Sequence, residues 1–539
     1  MEENQPLPVN PVNGVSVPTA DVPREAAVSA PPPRRVWSGI EKLFAWLMLL
    51  FGYGFWCAFP MSGKPLGATL LLLALYVLSF VVLLRNRVRF DLPQKLVLLS
   101  ATLSALSTVI WDNRFLAFVA FLYVLAAYAY LVCVGCGNGI EGGWSDFLFR
   151  DLGRALFVFP FVSYGSLFRA LSIPRGRGLG RTLLKILLGL ALAALPCMAV
   201  FALLSYDSEF GRIMLRLFDF DSEWLTENLL RLLFGVPVAL YVFGLFASAT
   251  AGRTVPTAEE ASARVLRRKV LSLLSAYAAA LPLLALYAVF FISQWGYYTA
   301  AFTGVLPQGL SYADYARDGF FQLCAVSFIN FLVVLCLRGF VRSEKAAPVR
   351  LLCLAFALCT LVLIATAMSK LVLYIQAYGL TPDRVHAAWF MALLTLLFVV
   401  LLLGLYVRRV RTAPLCAAVA VAMFVCLALS GPNRWIARYN VDRYLDGSTA
   451  QVDLYALESL GDDAIPELLR LEEAFREENG GQRPNVEGSY WYNYEDGSYE
   501  RLLVILRDRA AENKPFFRQN LSGLLAESAL RQAGFCELP

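Results

Sequence analysis

Residues 351–375 read LLCLAFALCTLVLIATAMSKLVLYI, with one formal charge, Lys370, in the whole stretch. As a helix, such a run is long enough to cross a hydrocarbon layer of about 30 Å. It lacks the apolar–polar alternation that a membrane barrel strand needs. Only internally bonded helices and closed barrels satisfy every backbone polar group in lipid, so the crossing is helical. Outward from this run, similar blocks recur in both directions. Eleven spans are expected, at about 43–60, 66–84, 96–111, 115–135, 183–204, 229–250, 271–293, 319–337, 351–375, 387–407 and 415–430. Composition agrees: 58% of residues are hydrophobic and 16% charged, against roughly 25% charged in a soluble domain. The expected fold is all-α, a polytopic transmembrane helix bundle with a small C-terminal α-helical soluble domain.

The basic residues set an expected orientation. With the N-terminus inside, Arg85, Arg87 and Arg89 fall in one cytoplasmic loop and Arg150 to Arg181 in the next. Arg264 to Lys269, Arg338 to Arg350 and Arg408 to Arg411 fill the others. The opposite loops carry acids (Asp207, Glu209, Asp219, Asp221, Glu223, Glu227) or aromatics (Trp295, Tyr297, Tyr298, Tyr312, Tyr315). An odd span count then puts everything from Gly431 outside the cytoplasm. That tail holds 19 acidic and 12 basic residues, a net −7 against +13 for the rest, which suits the split.

Residues 1–36 read as a disordered, Pro-rich cytoplasmic leader, 37–430 as the membrane domain and 431–539 as the acidic helical domain. The leader has acids and no apolar core, unlike a signal peptide. Trp144, Phe147, Leu148, Leu152, Ala155, Leu156 and Phe159 recur at helical spacing and predict an amphipathic helix on the inner surface; Phe210, Ile213, Met214 and Leu217 repeat the pattern outside. In the tail, helices are expected over Val452–Leu460 and, with Asp462 as N-cap, through Leu468, Leu471 and Phe475, then at about 498–512 and 517–533.

Catalytic constellations are scarce. The sole histidine, His386, is a poor metal site alone, and Cys133 and Cys136 lack further ligands, so both read as packing. The glycines of Arg175 to Arg181 form no phosphate loop, because no strand precedes them and no Gly-Lys-Ser/Thr follows. No catalytic residue, metal, cofactor or nucleic-acid partner is expected. The polar groups at membrane depth are sharper candidates, because a charge in lipid is costly unless paired or hydrated. These are Lys370, near the outer end of the ninth span, and Asn330 and Ser327 inside the eighth.

A family resemblance singles out further positions. Tyr378-Gly379-Leu380-Thr381-Pro382-Asp383-Arg384-Val385, together with Ile436-Ala437-Arg438-Tyr439-Asn440-Val441-Asp442-Arg443-Tyr444, resembles a bacterial membrane family known as domain of unknown function 4173. A related family, domain of unknown function 4153, shares a similar Tyr-Gly-Leu-Thr-x-x-Arg stretch. The likeness covers roughly residues 145–470. It implies a bacterial cytoplasmic membrane location and no particular activity. It marks Tyr378, Gly379, Thr381, Arg384, Arg438, Tyr439, Asn440, Arg443 and Tyr444 as candidates, either for anion binding at one outer face or for a joint that locks the tail to the bundle. The function expected first is non-enzymatic: a sensing, scaffolding or regulatory part of the cell envelope, with the bilayer and an envelope protein as partners. The alternative is a transporter or lipid-handling protein with a polar cavity near Lys370.

Overall fold

The structure, a computed structural model, describes residues 35–58, 65–171, 200, 222–252, 255–267, 269–293, 320–342, 346–407, 409–449, 451–484, 498–512 and 514–535. Four long helices come first: α1 (Gly39–Cys57), α2 (Pro65–Arg85), α3 (Leu92–Ile110) and α4 (Arg114–Cys133). Three shorter ones follow, α5 (Leu148–Phe157), α6 (Phe159–Val162) and α7 (Ser166–Leu171). The second half of the bundle comprises α8 (Ser222–Ala249), the short α9 (Ala258–Arg267), α10 (Leu273–Ser293), α11 (Phe320–Phe340), α12 (Ala346–Tyr378), α13 (Pro382–Tyr406) and α14 (Thr412–Leu429). The tail adds α15 (Pro432–Leu445), α16 (Leu454–Ser459), α17 (Ile465–Glu478), α18 (Tyr499–Ala511) and α19 (Leu521–Gln532).

Ten of these helices are long and apolar enough to cross a membrane, and they correspond to ten of the eleven expected spans. The chain is an all-α, multi-pass membrane protein. The fifth expected span (183–204), the glycine loop 175–181, the outer amphipathic piece around Phe210 and the aromatic loop from Trp295 lie outside the described residues.

Local chemistry starts and stops the helices. Ser38 and Glu41 form a capping box on α1, and Asp91 with Gln94 does so on α3. Asn113 caps α4 by accepting from the Leu116 amide at 2.9 Å. Proline occupies the first turn of α13 and α15, where its missing N–H is no loss. A helix forms within the expected amphipathic stretch as α5, with Asp151 and Ala155 buried. Asp462 is not an N-cap: it lies in a short 3-10 turn, Gly461–Ala464, and α17 begins at Ile465. Its carboxylate is drawn instead to Lys514 at 2.5 Å and Arg509 at 3.7 Å.

Two apolar cores hold the bundle, one built on α1, α2, α4 and α8, the other on α10 to α14. With little hydrophobic drive between helices in lipid, close backbone approach carries the packing. Gly52 on α1 meets Gly235 on α8, and a Cβ on either would collide with the other's backbone. Gly235→Ala is therefore expected to lower stability by about 1–3 kcal/mol, measured as thermal unfolding in detergent. Gly153→Ala, where a Cβ meets nothing within 4 Å, is the neutral comparison.

A third core belongs to the tail, yet it runs into the bundle. Ile436, Leu454, Leu457, Leu468 and Leu502 share it with Leu116 and Ala120 of α4, Val385 of α13 and Phe424 and Leu427 of α14. The tail thus sits on one end of the bundle, against the α3–α4 and α12–α13 turns. At the other end of α4, Asn138 donates to Ala249 O at 2.8 Å, and Arg35 donates to Ala247 O at 2.9 Å. The start of α1 and the tail consequently lie at opposite ends of the bundle, and Arg35 belongs to the bundle rather than to the leader.

Candidate functional site

The first polar joint forms where α12 ends. A helix leaves its last carbonyls without partners and presents the negative end of its dipole. Here Gly379, at φ +76°, turns the chain and returns its amide to Ile375 O at 2.8 Å, a left-handed cap that glycine adopts cheaply. Arg443 of α15 donates to Ile375 O at 3.1 Å and Gln376 O at 2.7 Å. Arg384 of α13 donates to Tyr378 O at 3.0 Å and also to Gly379 O, with its guanidinium 4.0 Å from the Tyr374 ring centre. Two cations thus close one helix end.

Asn440 completes the joint. Its Oδ1 accepts from the Leu380 amide and its Nδ2 donates to Leu380 O, both at 2.8 Å. One side chain reads both backbone groups of one residue, as a neighbouring strand would. A Cβ on Gly379 would collide with Asn440 Oδ1, so glycine is required here by contact as well as by φ.

The other expected residues fall around this joint or away from it. Thr381 is the N-cap residue of α13, without a side-chain bond to the cap. Tyr378 lies edge-on to Tyr374 at 5.3 Å, and the Arg443 guanidinium is 5.7 Å from the Tyr439 ring centre. Tyr444 packs edge-on to Phe475 at 5.7 Å. Arg438 points outward, its side chain 70% exposed and 3.8 Å from Asp442, which Arg470 holds at 2.6 Å. Arg384 and Arg438 therefore do not converge as an anion pair; Arg384 is committed to carbonyls.

Asn330 belongs to a separate network inside the bundle. Tyr287 donates to its Oδ1 at 2.6 Å, and its Nδ2 donates to Thr360 Oγ1 at 3.0 Å. Such interhelical bonds fasten helices in lipid. Lys370 lies ten residues beyond Thr360 on α12, about 15 Å along the axis. It is 9% exposed and is not an unpaired charge. Because α12 continues to Tyr378, Lys370 sits about 12 Å, two turns, from the helix end. Asn330, Lys370 and Arg384 do not form one cluster. Ser327 bonds its own helix, at Leu323 O.

The second joint was invisible from the sequence. Trp111, Asp112 and Asn113, between α3 and α4, grip the tail. Trp111 Nε1 donates to Leu429 O at 2.9 Å, with its ring over Gly431, where a Cβ would come within 2.7 Å. Asn433, 5% exposed, accepts from Asn113 Nδ2 at 2.9 Å and donates to Asp112 O and Leu460 O at 3.0 Å. Asp112 Oδ2 accepts from the Asp462 amide at 3.1 Å, and Asp463 Oδ1 accepts from the Asp112 amide at 3.0 Å.

Asp463, 1% exposed, has its carboxyl pushed up to about 6 by burial, with the charges of Asp112 and Asp462 acting in the same direction. A raised folded-state value means the folded form holds this proton more tightly than the unfolded chain. The stabilisation is complete below about pH 4 and is lost as pH rises through about 6. Asp463→Asn keeps the acceptor and removes the charge. Chemical unfolding is expected to show the variant more stable than wild type by about 2–3 kcal/mol at pH 8 and equal near pH 4. Equal stability at both values would refute the assignment.

Two clefts border the joints. One, of about 890 Å³, opens between Phe115, Asp383, His386, Tyr455, Glu458 and Arg509. His386 packs on Phe115 there, ring centres 4.8 Å apart. The other, of about 230 Å³, lies among α2, α3 and α4 beneath the tail. Among the described residues no group of three or more His, Cys, Asp or Glu is placed to hold a metal ion.

The family model described as "Domain of unknown function (DUF4153)" matches residues 98–471, from within α3 to within α17. That span includes both joints. The matching model is that of the relative sharing the Tyr-Gly-Leu-Thr-x-x-Arg stretch, so the nearer likeness to domain of unknown function 4173 is not confirmed. No curated protein and no solved structure matches the chain. With more than two-thirds of its 539 residues covered, the chain belongs to the family of domain of unknown function 4153.

Proposed function

We propose that the protein is a non-enzymatic sensing, scaffolding or regulatory component of a bacterial cell envelope, in which the tail receives a signal or partner and the bundle responds. The observation that carries this reading is the double clamp. Asn433 binds the α3–α4 turn and Asn440 with Arg443 binds the α12–α13 turn, so a force on the tail reaches both halves of the bundle. The distribution of Lys and Arg favours a cytoplasmic membrane location with the leader inside and the tail outside.

In cells carrying the gene, residues 431–539 would be deleted and, separately, Asn440→Ala with Arg443→Gln introduced. The reading expects the double variant, with its tail still folded, to reproduce the deletion phenotype. A double variant behaving as wild type while the deletion fails would overturn the coupling. The alternative is transport or lipid handling through a cavity near Lys370. Lys370→Leu at unchanged expression distinguishes the two: loss of activity would favour the alternative.

A further inference from the structure

We infer that the cleft beneath the tail binds a phosphate-bearing lipid from the leaflet on the tail's side of the membrane. Its walls fall into two layers. The deeper layer is apolar: Leu72 of α2, Ala105 of α3, and Ala117, Phe121 and Val124 of α4. Leu72 lies seven residues below Pro65 and Val124 ten below Arg114, so the shaft reaches about 10–15 Å inward, much of one leaflet's hydrocarbon depth. One turn below the rim, Thr69 and Thr108 bond to each other at 2.8 Å and Thr108 donates to Ala105 O at 2.8 Å, a small polar step between the mouth and the apolar shaft. The mouth carries Arg114, Arg509, Lys514 and Arg518, with Asp112 and Glu512 as the acids.

The rim cations are not equivalent. Arg509 and Lys514 are taken up by Asp462 and Glu512, at 2.5–3.7 Å. Arg114 and Arg518, both exposed, have no ion pair among the described residues. An apolar shaft below two uncommitted guanidiniums complements an acyl chain below a phosphate.

The surface beside the cleft is continuous with the lipid-facing side of the bundle. Phe516 and Phe517 form a turn packed on α2 and are 63% and 55% exposed. Leu521, Leu524 and Leu525 make an exposed apolar stripe on the adjoining α19. On α2 the exposed large apolar side chains are Leu70, Leu73, Val77, Val81 and Leu84. An exposed apolar surface of this kind, joined to a transmembrane face, belongs in the bilayer and delivers lipid to the mouth.

The test uses purified full-length protein in detergent, offered phosphatidylglycerol or phosphatidylcholine of the same chains, with bound lipid counted by native mass spectrometry. Wild type is expected to retain phosphatidylglycerol in preference. Each arginine near an anionic headgroup is worth on the order of fivefold in binding, so Arg114→Gln with Arg518→Gln should reduce retention about twenty-five-fold. Arg531→Gln, on an exposed pair with Glu527 away from the cleft, should leave it unchanged. Ala105→Phe, filling the shaft, should abolish it. Equal retention of both lipids, wild-type retention by the double arginine variant, or displacement of the lipid by millimolar inorganic phosphate would each overturn the proposal. The inference is independent of the signalling reading and survives or fails without it.

Discussion

Asn433→Ala is expected to loosen the tail from the α3–α4 turn, at a cost of about 2–4 kcal/mol. The side chain serves three partners in a site from which water is nearly excluded: Asn113 Nδ2, Asp112 O and Leu460 O. Alanine leaves one donor and two acceptors without it, and an orphaned buried group costs about 1–3 kcal/mol. The cost is not a full sum, because the site can relax and admit water. The readout is the urea midpoint of the tail, followed by limited proteolysis. Asn479→Ala, which removes one exposed bond to Gln482 O, should change little.

Gly379→Ala is expected to break the other joint, by about 2–4 kcal/mol. Two effects add. A non-glycine residue at φ +76° costs about 1 kcal/mol. The new methyl also displaces Asn440 Oδ1, so both bonds to Leu380 weaken together. Gly447, at φ +73° with nothing within 4 Å of a built Cβ, separates the terms. Gly447→Ala should show the conformational cost alone, and the difference between the variants is the contact. Equal effects would mean that Asn440 yields freely.

Most of the membrane fold was legible because lipid permits so few backbones. Apolar length alone located ten helices, including the short α3 and α14. The α12–α13 joint was partly legible: the resemblance marked Gly379, Arg384, Asn440 and Arg443, with a tail–bundle joint as one of two expectations. What they bind was not, since Asn440 and Arg443 meet that turn from about 60 residues away. The resemblance marked the residues but not their purpose, and an anion site and a carbonyl clamp use the same guanidinium chemistry. Trp111, Asp112 and Asn113 were hidden by their setting, a short polar turn between two spans, where such residues read as ordinary interface. Their partners Asn433, Asp462 and Asp463 lie more than 300 residues on. Asp462 has the local spacing of a cap, but that spacing cannot reveal Lys514 across the tail.

The tail shares its core with the bundle. Its core includes Leu116, Ala120, Val385 and Leu427 from three spans, so tail and bundle unfold together at that end. Hydrogen exchange reports this directly, because one amide in each turn is held by a tail side chain rather than by its own helix. The Leu380 amide donates to Asn440, and the Asp112 amide donates to Asp463. In full-length wild type, peptides covering residues 379–384 and 111–116 should exchange as slowly as the flanking helix ends. Exchange of those turn amides at the rate of an open loop would contradict the union of tail and bundle.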